Sequence, residues 1–271
     1  MREKRSEFYK LAREAATAPQ ESALKVQNKK GGVTIGVPRE ESLQENRIAL
    51  SPQAVQLLVN NGNRVFIETD AGKEAKFSDH QYSEAGAEIK YSKEEVFKTE
   101  IIVKVGFPTL PEIELMEDGQ TLISALAMPL LKVEQLKALM KKKVTALSFE
   151  GIKDEYGRFP VLQAMSEIAG NAAVLIAAEY LTNVQHGKGI MLGGITGVPP
   201  SNVVILGAGT VGMMSAKTAL GLGAEVKVFD HSLHKLRRLK DSLPFPVFTS
   251  IIHPNILHKA LQSADVLIGA L

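Results

Sequence analysis

From Val33 onward, short apolar runs alternate with stretches whose apolar residues return every three or four positions. The runs Val33–Val37, Arg64–Glu68, 101–105, 121–126 and 144–152 are short, rich in β-branched residues and punctuated by Gly or Pro, so they read as strands. Between them lie helical patterns. Ser51-Pro52 is a cap followed by proline at the first helical position, Ala54, Leu57 and Leu58 give an apolar face, and Gly62 ends it. Ser78 caps a second helix, residues 92–99 suggest a third, and VEQLKALMKKK a later one. Residues 165–184 form a longer apolar helix rich in small residues, followed by a glycine-rich loop, 186–200. The alternation then resumes, with strands at 203–206, 225–229, 246–250 and 264–270 and helices at 210–222, 232–243 and 253–264.

Strand–helix alternation implies parallel sheets covered by helices. The fold expected is α/β, with two Rossmann-like parallel-sheet domains, a cofactor cleft between them and the second domain truncated at the C-terminus. The expected boundaries are a helical extension and linker at 1–32, a substrate-side domain at 33–164, an interdomain helix at 165–185 and a nucleotide-binding domain at 186–271. Residues 1–32 open on a charged stretch with a modest helical pattern from Phe8 to Ala16, which reads as a docked helix or a partner-binding arm. Four strands are visible in the last domain, where six are usual, so the chain reads as part of a longer protein.

Composition narrows the class. The chain has 271 residues, a net charge of +2 and no cysteine. The near-neutral charge argues against bulk nucleic-acid or membrane electrostatics. The lack of cysteine excludes disulfides and thiol catalysis, and a cytoplasmic location fits. No apolar run is expected to reach the roughly 20 residues of a spanning helix. His231 and His234 stand three apart without a third ligand nearby, so no metal site is expected.

The chemistry concentrates at 201–230. Gly207, Gly209 and Gly212 make G-x-G-x-x-G between a strand and a helix, and Asp230 ends the following strand. Gly207 permits a tight turn, Gly209 lets the backbone approach a pyrophosphate, and Gly212 lets the helix pack on the strand. Thr210 and Val211 open the helix, whose N-terminal N–H groups suit phosphate oxygens. Asp230 can accept from both ribose hydroxyls, which favours NAD(H) over a 2′-phosphate.

Longer segments carry a family resemblance: GVPRE and ENRIALSP within 36–52, IIVKVGFP (101–108), MSEIAGNAA (165–173), 187–212 and VFDHSLHKLRRL (228–239). From residue 33 the chain resembles the alanine dehydrogenase / pyridine nucleotide transhydrogenase α-subunit family. That resemblance implies hydride transfer between NAD(H) and an amino acid or 2-oxo acid such as alanine and pyruvate, in a homo-oligomer. It makes Arg47 the partner of a substrate carboxylate, Ser166 a residue near the cofactor and Lys235 a basic residue on the adenosine side. From the residues alone, Arg47 reads first as an ion-pair partner and Lys235 as part of a solvated helix face.

Two departures stand out. The family's catalytic lysine position is Gly106, and its catalytic histidine position is Ala127. Lys104 is the substitute candidate: two residues earlier, it could face the same side of a strand as Gly106, but about 6.5 Å back, too far for the same contact without rearrangement. A further catalytic aspartate of the family would fall beyond Leu271. The loss of the Lys/His pair also resembles transhydrogenase α subunits, which hand hydride to an NADP(H)-binding partner at a membrane. A non-catalytic NAD(H)-binding protein is the third reading.

Overall fold

The computed structural model describes residues 32–42, 45–126, 131–182 and 186–271. The helix expected within residues 8–16 and the Ala127 position lie outside the described residues. The chain divides into two units, Met1–Phe149 and Glu150–Leu271, so the helix expected between domains falls in the second.

In the first unit six parallel strands are β1 (Thr34–Val37), β2 (Arg64–Glu68), β3 (Glu88–Lys90), β4 (Ile101–Val103), β5 (Thr121–Ser124) and β6 (Thr145–Ser148). Their spatial order is β3-β2-β1-β4-β5-β6. The chain reverses its direction of travel across the sheet between β1 and β4, where loops leaving the strand ends diverge and open a crevice. Helices α1 (Pro52–Asn60), α2 (Asp79–Glu84), α3 (Lys93–Phe97), α4 (Leu110–Leu115) and α5 (Val133–Lys141) connect the strands. The caps read from sequence form. Ser51 Oγ accepts from Ala54 N at 3.3 Å, and Ser78 and Gln81 make a reciprocal capping box. Alternation along each strand sends Ile35, Val37, Val65 and Ile67 into one core and Ile102 and Leu122 into another. Tyr82 is fully buried in the first, its hydroxyl donating to Leu50 O at 2.8 Å.

The second unit begins its order with α6 (Pro160–Leu181), five residues ahead of the expected start, because Pro160 supplies a ready-made first helical position. The expectation about apolar length is corrected here. This helix has 22 residues and is long and apolar enough to cross a membrane by length and composition. Its polar residues, among them Gln163, Glu167, Asn171 and Glu179, interrupt every unbroken apolar run, so run length understates its mean hydropathy. Inside the unit it packs against α7 (Thr210–Gly221): Ser215 Oγ donates to Gly170 O at 2.9 Å and Thr218 Oγ1 to Asn171 Oδ1 at 2.6 Å. A Cβ at Gly170 would lie 2.5 Å from Val211 O, so glycine permits the close approach.

The second sheet is also parallel, β7 (Asn202–Leu206), β8 (Glu225–Asp230), β9 (Phe248–Ile251) and β10 (Val266–Gly269), in the order β10-β7-β8-β9. Helices α8 (Leu233–Ser242) and α9 (Pro254–Gln262) complete the alternation. Val203, Ile205, Val226 and Val228 face one core, and Val204 and Phe229 the other. The order repeats that of β3-β2-β1-β4, with its own reversal between β7 and β10.

Candidate functional site

Two places at the carboxyl ends of the strands carry chemistry, one in each unit.

In the second unit, the three motif glycines have three different jobs. Gly207 sits at φ +111°, and a Cβ there would lie 2.1 Å from Ala270 O, so the turn out of β7 passes against the end of β10. A Cβ at Gly212 would lie 1.9 Å from Gly207 O and 3.4 Å from Ile205 Cγ2, so the helix can press on the strand only with glycine there. Gly209, the N-cap of α7, has nothing within 4 Å of where a Cβ would stand. That open ground lies beside the N–H groups of the first helical turn, at Thr210 and Val211, where a diphosphate would find both space and donors.

Asp230 ends β8 and is buried. Its Oδ2 accepts from Ala208 N at 2.7 Å and its Oδ1 from Ser232 N at 2.7 Å. Burial pushes this carboxyl up, but the two amides, with Lys235 and His231 nearby, hold it below the ordinary 3.8. Each oxygen has a second lone pair, so the carboxylate can still accept ribose hydroxyls. Its first task is structural: it ties the glycine loop to the next strand. Lys235, exposed on α8, donates its backbone N–H to Ser232 Oγ and adds positive potential beside Asp230. Ser166 shares a cavity of about 420 Å³ with Thr210, Met213, Arg158 and Arg238. The two arginines stand 80 positions apart in sequence, so no local pattern marks them as neighbours.

In the first unit, the crevice between β1 and β4 is lined by carboxylates. Glu40 follows β1, and its carboxylate accepts from Val105 N at 2.7 Å and Gly106 N at 3.3 Å. These amides therefore turn to Glu40, and β4 ends at Val103 although the sequence pattern runs to 105. Lys104 is 2% exposed, its Nζ 2.6 Å from Glu112 Oε1 and 3.7 Å from Glu40 Oε2. Glu112 Oε2 accepts from Thr109 N at 2.9 Å and closes the capping box of α4. Glu41 is bound by Lys93 at 2.6 Å. Arg47 grips Glu45 with two donors, Nε to Oε1 at 2.7 Å and Nη2 to Oε2 at 2.6 Å. Two adjoining cavities of about 780 and 640 Å³ share Glu40, Glu41, Ser42 and Glu45, with Arg47 on the first and Lys104 and Gly106 on the second. The structure thus brings Arg47, Lys104 and Gly106 to one crevice.

Residues 36–169 match the family described as alanine dehydrogenase/PNT, N-terminal domain, and residues 173–271 match its C-terminal domain. The chain belongs to the alanine dehydrogenase/PNT family. An alanine dehydrogenase of Methanococcus maripaludis is 40% identical over 236 residues, 87% of this chain and 63% of the relative. The chain thus spans about 63% of the length of that curated relative. A solved L-alanine dehydrogenase superposes with a TM-score of 0.81 at 39% identity, covering 86% of this chain and 64% of that one. A transhydrogenase from Sinorhizobium meliloti gives 0.76 at 23% identity, covering 88% and 69%, and shares the fold.

The sequence reading named the glycine loop, Asp230 and Arg47 as site candidates and singled out Gly106 as a gap. It missed Glu40 and Glu112. Glu40 had a readable mark: it follows Pro38 at the carboxyl end of the first strand, where a crevice opens once the strand order is known. Nothing local marks Glu112, because an acid three residues after Thr109 reads as a cap and nothing more.

Proposed function

We propose that the protein is an NAD-dependent oxidoreductase of the alanine dehydrogenase type, interconverting an amino acid and its 2-oxo acid, with alanine and pyruvate the first pair to test. The observation that carries this reading is the glycine cradle: Gly209 open to a ligand, Gly207 and Gly212 closed by backbone, and the carboxylate of Asp230 at the end of β8. Gly207, Gly209, Thr210, Val211 and Gly212 would hold the diphosphate and Asp230 the ribose, with Lys235 on the adenosine side and Ser166 near the cofactor. The bound cofactor would supply or accept the hydride. The 40% identity with an alanine dehydrogenase supports the substrate class. Arg47 suits a 2-oxo acid, since a guanidinium forks onto a carboxylate, and the substrate would compete with Glu45 for it. Lys104, held by Glu112, would set the charge of the crevice. A homo-oligomer acting in the cytoplasm completes the proposal.

The test uses the complete natural protein. NADH oxidation is followed with pyruvate and ammonium, beside an NADH-binding titration. Turnover supports the dehydrogenase. Binding without turnover overturns it and leaves the two other readings, a transhydrogenase-like subunit and a non-catalytic NAD(H)-binding protein. Adding NADP(H) and a partner subunit separates those two.

A further inference from the structure

Conversion of a 2-oxo acid and ammonia into an amino acid moves protons as well as a hydride, so a group able to give and take them is needed beside the substrate. The titratable side chains on the cavity beside Gly106 are Glu40, Glu41, Glu45, Glu112 and Lys104. Four of these are committed elsewhere. Glu112 is 1% exposed, with one oxygen on Lys104 and the other on Thr109. Lys104 is sealed behind it. Hydrogen bonding to Lys93 holds the Glu41 carboxyl low, and hydrogen bonding to Arg47 does the same for Glu45.

Glu40 differs from all of them. It stands at the crevice mouth between β1 and β4, fixed by two backbone amides, with the Lys104 ammonium 3.7 Å away. A Cβ at residue 106 would lie 3.2 Å from Glu40 Oε2 and has no other neighbour within 4 Å. Glycine at that position therefore leaves space beside a carboxylate that is itself 9% exposed and lines the cavity. We propose that Glu40 is the acid–base group of this substrate site, exchanging protons with the nitrogen and oxygen of the adduct between the 2-oxo acid and ammonia. The inference rests on the dehydrogenase reading above. Burial pushes the Glu40 carboxyl above its ordinary 4.5, against the pull of Lys104 and of the Val105 and Gly106 amides, with Glu112 adding to the rise. Arg47 also faces it, and the cavity it shares carries the cations Arg39, Lys73 and Lys93 and the carboxylates Glu41, Glu45, Asp70 and Glu74. A carboxyl raised in this way is closer to the neutral range where proton exchange works best.

The steps balance. Ammonia adds to C2 of the 2-oxo acid, forming the C–N bond as the C=O π pair moves to oxygen. The Glu40 carboxyl gives its proton to that oxygen and takes one back from nitrogen. It then protonates the hydroxyl, which leaves as water while the nitrogen lone pair forms the C=N bond, and solvent restores its proton. No electrons enter or leave the adduct in these steps.

The experiment compares wild type, Glu40→Gln and Glu40→Asp of the complete protein. NADH affinity, the pH dependence of alanine oxidation and carboxyl titration by NMR with ¹³Cδ-glutamate are measured on each. Glu40→Gln should lower kcat by about 100-fold or more, leave NADH affinity unchanged and abolish the fall of kcat/KM at low pH. The wild-type spectrum should show one carboxyl titrating above 4.5, absent from Glu40→Gln. Glu40→Asp should keep part of the rate with a displaced limb, and it carries the test if the glutamine variant does not fold. Wild-type turnover with kcat and limb unchanged in the variants overturns the proposal and leaves the dehydrogenase reading standing. So does a Glu40 carboxyl that titrates at or below 4.5. NADH binding without any wild-type turnover overturns that reading and the proposal together.

Discussion

Lys104 Nζ stands 2.6 Å from Glu112 Oε1, and both side chains are sealed from solvent at 2% and 1% exposure. The pair joins the end of β4 to the first turn of α4, and Glu112 also closes that helix's cap. Two charges taken out of water cost several kcal/mol unless their bonding is complete, so each partner is held by the other. Lys104→Met should therefore lower the unfolding free energy by about 3 kcal/mol, by leaving buried Glu112 with only the more distant Lys93, at 3.5 Å. The double change Lys104→Met with Glu112→Gln should recover part of that loss. Urea unfolding of the three proteins checks both statements.

The motif glycines separate folding from binding. Gly209→Ala meets no atom within 4 Å and keeps an ordinary extended φ of −73°. Its unfolding midpoint should match wild type while NADH affinity falls by at least 10-fold. Gly212→Ala, with a Cβ 1.9 Å from Gly207 O, should lose stability and binding together. Denaturation curves and NADH fluorescence titrations on both variants decide this. Equal loss of stability in the two would remove the distinction.

Asp230 makes a prediction about pH. Its carboxyl lies below 3.8 in the folded protein because the ionised form accepts from Ala208 and Ser232. A depressed carboxyl stabilises the fold above the unfolded value, and the contribution disappears as pH falls through the folded one. Asp230→Asn should thus be less stable than wild type at pH 7, with the gap closing below 3.8. Unfolding free energies measured from pH 7 downward give the answer.

Arg47 is engaged by Glu45 through a two-point contact. Replacing Glu45 with Gln weakens that competition, so KM for pyruvate should fall severalfold with kcat little changed. Arg47→Lys cannot fork onto a carboxylate and should raise KM by about 10-fold or more. Steady-state kinetics at fixed ionic strength test both, and opposite directions of change are required.

Ser124, at the carboxyl end of β5, is fully buried and its hydroxyl has no hydrogen-bond partner among the described residues. Removing a buried, unsatisfied hydroxyl relieves its desolvation cost. Ser124→Ala should raise the unfolding free energy by about 1 kcal/mol. Thermal and urea unfolding measure it directly, and a loss of stability would contradict it.

The sequence by itself determined the local and periodic features of this protein. Ser51-Pro52, the Ser78 box and the runs at 203–206 and 225–229 specify caps and strands through contacts within a few residues. The glycine motif was legible in part for the same reason: the steric demand on Gly212 comes from Gly207 and Ile205 of its own strand–turn–helix, whereas Gly207 is crowded by Ala270 at the end of β10. Only the tertiary structure decided the strand order, which sets β1 beside β4 and thereby brings Glu40 to the amides of Val105 and Gly106 from 65 and 66 residues away. It also decided that Lys104, the substitute candidate for the missing lysine, is buried against Glu112. Charges pair across space according to which chain ends converge, and no sequence period records that convergence.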